Sequence, residues 1–143
     1  MTLVDANVLL YAVNRDDPHH TESRGWLERE LSAGRAVGLA WIALLAFLRL
    51  STKPGLFPAP LAPDTAMAQV RTWTHHPRTI VLSPTTRHAD VLAGLLTQFG
   101  AGGNLVNDAH LAALAVEHGA TIVSYDTDFA RFDGVRWDRP RLS

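Results

Sequence analysis

The chain has 143 residues, 47% of them hydrophobic and 19% charged, and we expect residues 1–143 to form a single domain with its own apolar core. This composition excludes an intrinsically disordered chain, and the absence of cysteine excludes disulfides, cysteine-bound zinc and a thiol nucleophile. The 13 Lys and Arg residues against 14 Asp and Glu give a net charge of −1, which argues against binding nucleic acid through a uniformly basic surface.

The N-terminus and the longest apolar run predict where the protein works. Asp5 stands where a secretory signal would need a basic segment followed by a long apolar one. Residues 36–48 are apolar throughout, but a membrane-spanning helix needs about 20 such residues. We therefore expect a cytoplasmic protein with no membrane association, in which this run lies in the core.

The hydrophobic pattern predicts strands that alternate with helices along the chain. The predicted elements are strands at residues 2–4, 36–40, 79–82, 121–124 and 135–137, and helices at residues 7–13, 18–33, 41–51, 64–74, 88–99 and 104–118. A proline-rich loop at residues 54–63 separates the third and fourth helices. This alternation indicates an α/β fold with a central parallel β-sheet flanked by helices.

Local signals mark several helix ends. Asp17 and Pro18 have the residue types of an N-cap and a first helical residue, so we expect the second helix to begin there. The glycine-rich segment 100–103 interrupts the chain before the last long helix. Gly119 is expected at the C′ position of that helix, where a left-handed backbone ends it.

Acidic residues follow two of the predicted strands directly. Asp5 comes after the first strand, and Asp126 and Asp128 come after the strand at 121–124. In a parallel sheet the carboxyl ends of the strands share one edge, where ligands and catalytic groups collect. We therefore expect these carboxylates to lie close together.

Asp108 is a fourth acidic residue whose position suggests a role. On its helix it shares a face with Asn104 and with the apolar Leu111, so we expect its side chain to point towards the sheet. His110 and Glu117 lie on another face of the same helix, which we expect to be in solvent.

Asp5, Asp108 and Asp126 have no lysine or arginine near them in the sequence. Carboxylates that converge at low dielectric repel each other, and a divalent cation relieves that repulsion. Oxygen-only ligands favour Mg²⁺ or Mn²⁺. Simpler roles remain open for each residue alone: an N-cap for Asp5, a helix-dipole partner for Asp108, and a turn residue for Asp126.

Three segments resemble the PIN-domain ribonucleases, and among them the VapC toxins of bacterial toxin–antitoxin pairs. The segments are residues 4–10 (VDANVLL), 104–115 (NLVNDAHLAALA) and 123–129 (VSYDTDF). The resemblance covers nearly the whole chain. It implies an Mg²⁺-dependent endoribonuclease that hydrolyses RNA with a metal-activated water, forms a homodimer and is neutralised by a small cognate antitoxin. It also assigns residues: Asp5, Asp108 and Asp126 are the catalytic, metal-binding acids, and Asn7, Asn104 and Asp128 support them.

The sequence departs from this family at one position. The family usually carries a glutamate in the helix after the second strand, and residues 41–49 contain no acidic residue. We place the missing acid at Ala46. No acidic residue occurs between Glu30 and Asp64, so a shift of register does not supply one.

This departure leaves several interpretations. Either the remaining aspartates hold a single metal ion, or Asp90, Glu22 or Asp128 fills the gap, or the activity is weak. The competing hypothesis is a catalytically silent PIN-like module that binds RNA or a protein. A phosphotransfer receiver, which also places acids at strand ends, is disfavoured because it needs a lysine on a late strand and Lys53 is the only lysine.

Overall fold

The computed structural model describes residues 1–99, 103 and 105–142. Its strands are β1 (Thr2–Val4), β2 (Val37–Leu39), β3 (Thr79–Val81), β4 (Thr121–Val123) and β5 (Trp137–Asp138). Its helices are α1 (Ala6–Val13), α2 (His20–Ala33), α3 (Trp41–Ser51), α4 (Pro63–Thr74), α5 (His88–Phe99) and α6 (Leu105–His118), followed by a short 3₁₀ helix at Thr127–Arg131. The strands form one parallel sheet in the order β3-β2-β1-β4-β5, which confirms the predicted α/β fold.

The sheet separates two apolar cores. Successive residues of a strand point to opposite faces, so Val4 joins the core on one side and Leu3 joins the core on the other. Helices α1 to α4 cover the first face, where Leu44 and Phe47 are fully buried. Helices α5 and α6 cover the second face. Strand β1 is the central strand of the sheet, and the site lies at its carboxyl end.

The apolar run at residues 36–48 folds as strand β2 followed by helix α3. Most of it is buried, but Trp41 and Leu45 are 48% and 55% exposed on the outer side of α3. Among the helices that the structure describes, none has the length and apolar character to cross a membrane.

The helix ends follow some of the sequence signals and contradict one. Gly119 ends α6 with a φ of +64°, as predicted for a C′ glycine. The prediction for Asp17 was wrong: α2 begins at His20, and the Asp17 side chain accepts a hydrogen bond from the His19 backbone N–H at 2.8 Å. Asp17 therefore stabilises a turn before the helix, a role that competes with N-capping for aspartate.

Several other boundaries moved by one or two residues, among them those of β2, β3, β4 and α4, and two of the shifts bear on the site or the sheet edge. Helix α1 begins at Ala6, because Asp5 is its N-cap, and the last strand is Trp137–Asp138, later than the predicted 135–137. The predicted break at residues 100–103 lies outside the described residues except for Gly103, which has a φ of +54° in a turn. Asn104, predicted to begin the last helix, also lies outside the described residues.

The prediction that His110 and Glu117 face solvent was wrong. The Glu117 side chain has no exposed surface and accepts hydrogen bonds from the Thr85 backbone N–H at 2.9 Å, the Thr85 hydroxyl and the His88 ring. His88 in turn shares a 2.9 Å hydrogen bond with His110. This His–Glu cluster (Thr85, His88, His110 and Glu117) lies between α5 and α6. The sequence of α6 alone did not reveal it because the donors come from another element.

Candidate metal centre

Four carboxylates line one cavity of about 330 Å³ at the carboxyl edge of the sheet. Two belong to strand ends, one to the 3₁₀ helix after β4 and one to the first turns of α6. The lining residues are Asp5, Ala6, Ile42, Ala43, Ala46, Arg49, Asn107, Asp108, Leu111, Asp126 and Asp128. We call this space the acidic cavity.

Asp5 is held in place by three hydrogen bonds. As the N-cap of α1 it accepts a hydrogen bond from the Ala6 backbone N–H at 2.7 Å through Oδ1. Its Oδ2 accepts one from the Ser124 hydroxyl at 2.7 Å and a longer one from the Asn7 amide at 3.5 Å. Burial raises the pKa of Asp5 above its ordinary value, although the hydrogen bonds from Ser124 and Ala6 oppose that rise.

Ser124 and Asn7 connect the two strand ends that carry acids. The Ser124 hydroxyl is fully buried and accepts hydrogen bonds from the Asn7 amide at 3.1 Å and from the Asp126 backbone N–H at 3.0 Å. The Asn7 side-chain oxygen accepts one from the Tyr125 backbone N–H at 3.2 Å. Sequence reasoning gave Asn7 a supporting role but missed Ser124; the only signal in the sequence was a serine at the end of the predicted strand, two residues before Asp126.

Asp126 and Asp128 are arranged by a turn. Oδ1 of Asp126 accepts a hydrogen bond from the Asp128 backbone N–H at 2.8 Å and caps the 3₁₀ helix. The Asp128 side chain is half exposed, and its carboxylate lies 3.8 Å from the Arg131 guanidinium. The turn therefore aims both carboxylates at one region, with Asp128 on its solvent side.

Asp108 completes a cluster with these two residues. One carboxylate oxygen from each of Asp108, Asp126 and Asp128 lies within 4.8 Å of the others. Asp5 lines the same cavity but lies outside this three-residue cluster. Burial, and then the negative charges of the three neighbouring carboxylates, raise the pKa of Asp108 to about 6.

The chemistry of these side chains fits a hard divalent cation. Among the residues that the structure describes, no basic side chain forms an ion pair with Asp5, Asp108 or Asp126. Carboxylates that raise each other's pKa are short of positive charge, and oxygen ligands are those that Mg²⁺ and Mn²⁺ prefer. The cavity is also wide enough for an ion that keeps several of its waters.

The structure places the residues on which the sequence left alternatives open. Ala46, the position assigned to the missing acid, lines the acidic cavity, and so does Asp128. Glu22 instead accepts a hydrogen bond from the Tyr125 hydroxyl at 2.8 Å and does not line the cavity. Asp90 is exposed in the first turn of α5, away from the lining residues. Of the three candidates for the gap, only Asp128 lies with the other acids.

Arg49 and Asn107 also line the cavity, and sequence reasoning missed both. Arg49 follows Ala46 by three residues on α3, which puts both on one helix face. Asn107 directly precedes Asp108. Once Ala46 had been placed at the site, helical spacing was the signal that pointed to Arg49.

The PIN domain family model matches residues 2–135 of this chain. That match covers all of the elements that line the acidic cavity. The chain therefore belongs to the PIN domain family, the class that its sequence motifs and its parallel sheet had indicated.

Sequence comparison with individual proteins places the chain in one group within the PIN domain family. The chain is 61% identical over 140 residues to ribonuclease VapC37 of Mycobacterium tuberculosis. The alignment covers 98% of this chain and 97% of that protein. Within the PIN domain family, it thus belongs to the VapC ribonucleases, and the predicted family and enzyme class are confirmed.

Solved structures share the fold at low sequence identity. One is VapBC2 of Rickettsia felis bound to a DNA fragment from its promoter. It superposes with a TM-score of 0.70 at 18% identity, and the alignment covers 96% of this chain and 97% of the matched chain. VapC20 of Mycobacterium tuberculosis, a toxin that cleaves the sarcin–ricin loop, gives a TM-score of 0.69 at 17% identity, with coverages of 95% and 99%. Both comparisons agree with the parallel sheet described above.

Proposed function

We propose that this chain is an Mg²⁺-dependent endoribonuclease that hydrolyses RNA phosphodiester bonds and acts as the toxin of a toxin–antitoxin pair. The observation that carries the proposal is the acidic cavity: oxygens of Asp108, Asp126 and Asp128 lie within 4.8 Å of each other, beside Asp5. Membership of the VapC ribonucleases supplies the substrate class. Mn²⁺ has the same ligand preference and should substitute for Mg²⁺.

In this proposal Asp5, Asp108 and Asp126 hold the ion, and Asn7, Asn104 and Asp128 support them. A divalent ion bound there supplies an activated water and neutralises charge on the phosphodiester. The chain contributes the geometry: the Ser124 hydroxyl and the Ala6 backbone N–H orient the Asp5 carboxylate. Asp108, with fewer donors and a raised pKa, gains most from a cation.

Cleavage of RNA by the purified chain tests the reaction. We expect cleavage with Mg²⁺ or Mn²⁺ and none after EDTA is added. The products should carry a 5′-phosphate and a 3′-hydroxyl, because water and not the ribose 2′-hydroxyl is the nucleophile. Cleavage that persists in EDTA, or that leaves a 2′,3′-cyclic phosphate, would rule out this mechanism, and the absence of cleavage under all conditions would favour the silent binding module.

The antitoxin is proposed from the relatives. VapC structures of the same fold were solved as toxin–antitoxin complexes, VapBC2 of Rickettsia felis among them. We expect induced expression of this chain to arrest growth in the bacterial cytoplasm, and co-expression of the small protein encoded beside it to restore growth. Growth that is unaffected in both cases would contradict the assignment as a toxin.

The homodimer is proposed from exposed apolar surface. Trp41 and Leu45 lie one turn apart on the outer side of α3, each about half exposed, and such surface favours association with another chain. Light scattering should give the mass of two chains. Leu45→Arg should give the mass of one, whereas a single chain in both samples would contradict the dimer.

A further inference from the structure

Arg49 is a cation in a cavity that otherwise carries negative charge. Among the described residues that line the acidic cavity, it is the one basic side chain, and it shares the lining with Asp5, Asp108, Asp126 and Asp128. The proposed reaction uses the carboxylates but leaves Arg49 without a role.

The guanidinium of Arg49 is not used by the chain itself. It forms no ion pair or side-chain hydrogen bond with any residue in the described part of the chain. Asp5 and Asp126 accept hydrogen bonds from other groups, and none of the four carboxylates in this cavity forms an ion pair with Arg49. The five N–H donors of Arg49 are therefore available to a ligand.

The absence of an acid at position 46 explains why Arg49 stays free. Ala46 and Arg49 are three residues apart on α3 and both line the cavity, so a glutamate at 46 would pair with the arginine. With alanine there, this side of the cavity has a positive charge and no negative one. The carboxylates come from other elements around the same space: the N-cap of α1, helix α6 and the segment after β4.

A phosphodiester that enters the acidic cavity needs the positive charge of Arg49 as well as that of the divalent ion. Four carboxylates outweigh one divalent ion, so a phosphate that approached the carboxylates and ion alone would still meet excess negative charge. Arginine binds phosphate oxygens in a bidentate manner and stays charged at any working pH. Its fixed donors also stabilise the charge that grows on the phosphate oxygens during hydrolysis.

We propose that Arg49 binds the non-bridging oxygens of the scissile RNA phosphate, on the side of the acidic cavity where Ala46 replaces an acid. The inference rests on the proposed ribonuclease function and extends it to a phosphate-binding residue. Arg49 then supplies positive charge that the carboxylates and their ion do not, at a site that lacks the family glutamate at position 46.

Salt-dependent RNA binding tests this role separately from cleavage. The probe is a short fluorescein-labelled single-stranded RNA with hydrolysis-resistant phosphorothioate linkages, which keep the phosphate charge, measured by anisotropy with Mg²⁺ in the otherwise wild-type chain. Loss of one phosphate contact should reduce the slope of log K against log salt concentration by about 0.7 for a single strand. Arg49→Ala should show that reduction, and Arg49→Lys should restore the slope because lysine keeps the charge, while binding RNA more weakly because it lacks the bidentate donors.

The matched control is Arg71→Ala. Arg71 is an exposed arginine in the last turn of α4, as Arg49 is in the last turn of α3, so both substitutions remove the same charge from the same helical position. Arg71 does not line the cavity, and its removal should leave the slope unchanged. An equal slope for Arg49→Ala and Arg71→Ala would overturn the proposal and leave Arg49 as a helix C-terminal cation.

Kinetics in the otherwise wild-type chain give a second readout. Arg49→Ala should lower kcat about 100-fold, the loss typical of one oxyanion-stabilising donor, and Arg49→Lys should recover part of it. An unchanged kcat would contradict the role at the reacting phosphate. If the wild-type chain does not cleave RNA, the proposed function fails, whereas a cleaving wild type with an Arg49-independent salt slope defeats the Arg49 inference alone.

Discussion

Two carboxylates of helix α6 lie nine residues apart and have opposite environments. Glu117 has no exposed surface, and burial alone would raise its pKa, but hydrogen bonds from Thr85 and His88 lower it below the ordinary value. Asp108 lies in the acidic cavity, where burial and three neighbouring carboxylates raise its pKa to about 6. The chain supplies donors to one carboxylate and withholds them from the other.

Glu117 therefore has a structural role, whereas the charge of Asp108 is left for a bound cation to compensate. Glu117 is satisfied by groups of α5 and of the segment before it, so ionisation there stabilises the folded chain. Asp108 is left short of positive charge that an ion can supply. Burial acts to raise the pKa of both residues, so what separates them is the source of the compensating interactions.

The largest expected effect is the loss of activity in Asp108→Asn. If Asp108 binds the ion as proposed, its replacement should lower RNA cleavage more than about 100-fold, which exceeds the loss usual for residues that only hydrogen-bond to a metal ligand. The fold should remain, as circular dichroism and thermal unfolding can check. Asp90→Asn, an exposed acid in the first turn of α5, is the matched control and should retain full activity. An active Asp108→Asn enzyme would move the metal elsewhere.

Glu117→Gln should instead reduce stability and leave the activity of the folded protein unchanged. The substitution sets an amide against buried donors and should cost about 1–3 kcal/mol in the free energy of unfolding, measured with urea. Glu28→Gln breaks an exposed pair with Arg24 and should change it by less than about 1 kcal/mol. If the two substitutions had equal effects on the free energy of unfolding, the buried hydrogen bonds of the His–Glu cluster would not stabilise the fold.

Magnesium affinity should fall as the pH falls. Because the pKa of Asp108 is raised to about 6, protons compete with the ion below that pH. Calorimetry should show affinity lower by about tenfold at about pH 5 than at about pH 8. The lowered pKa of Glu117 predicts no contribution from that residue in this range. An affinity that does not change with pH would show that Asp108 does not compete for the ion.

The smallest expected effect is the pH dependence of stability without metal. The raised pKa of Asp108 contributes stability that is present below its unfolded pKa of 3.8 and is lost as the pH rises through about 6. Glu117 acts in the opposite direction, since its lowered pKa contributes stability above 4.5 that is lost as the pH falls.

Urea unfolding in EDTA measures these opposite contributions. The loss attributable to Asp108 should not exceed about 1 kcal/mol, because the residue is only half-buried and water screens its charge. Asp108→Asn should remove that loss and Glu117→Gln should not. A wild-type curve parallel to the Asp108→Asn curve from about pH 4 to about pH 7 would contradict the raised pKa.

The fold and much of the acidic cavity could be predicted from the sequence. Strand and helix patterns gave the parallel sheet, and Asp5, Asp108 and Asp126 were expected at its carboxyl edge, where the structure places them. These predictions succeeded because they depend on periodicity and on the common edge of parallel strands.

What the sequence did not predict depends on contacts between distant elements. Glu117 was expected in solvent, but its partners Thr85 and His88 come from another part of the chain. Ser124 became a central hydrogen-bonding residue only when β1 and β4 were paired. Local signals also competed at Asp17, where a turn replaced the expected N-cap.

A calorimetric titration of Mg²⁺ at neutral pH into the wild-type, Asp108→Asn and Asp90→Asn chains tests most directly that the acidic cavity holds the catalytic ion. We expect saturable binding in the wild-type and Asp90→Asn chains, and none in Asp108→Asn over the same concentrations. Binding that is the same in all three chains would contradict the assignment of the ion to the acidic cavity.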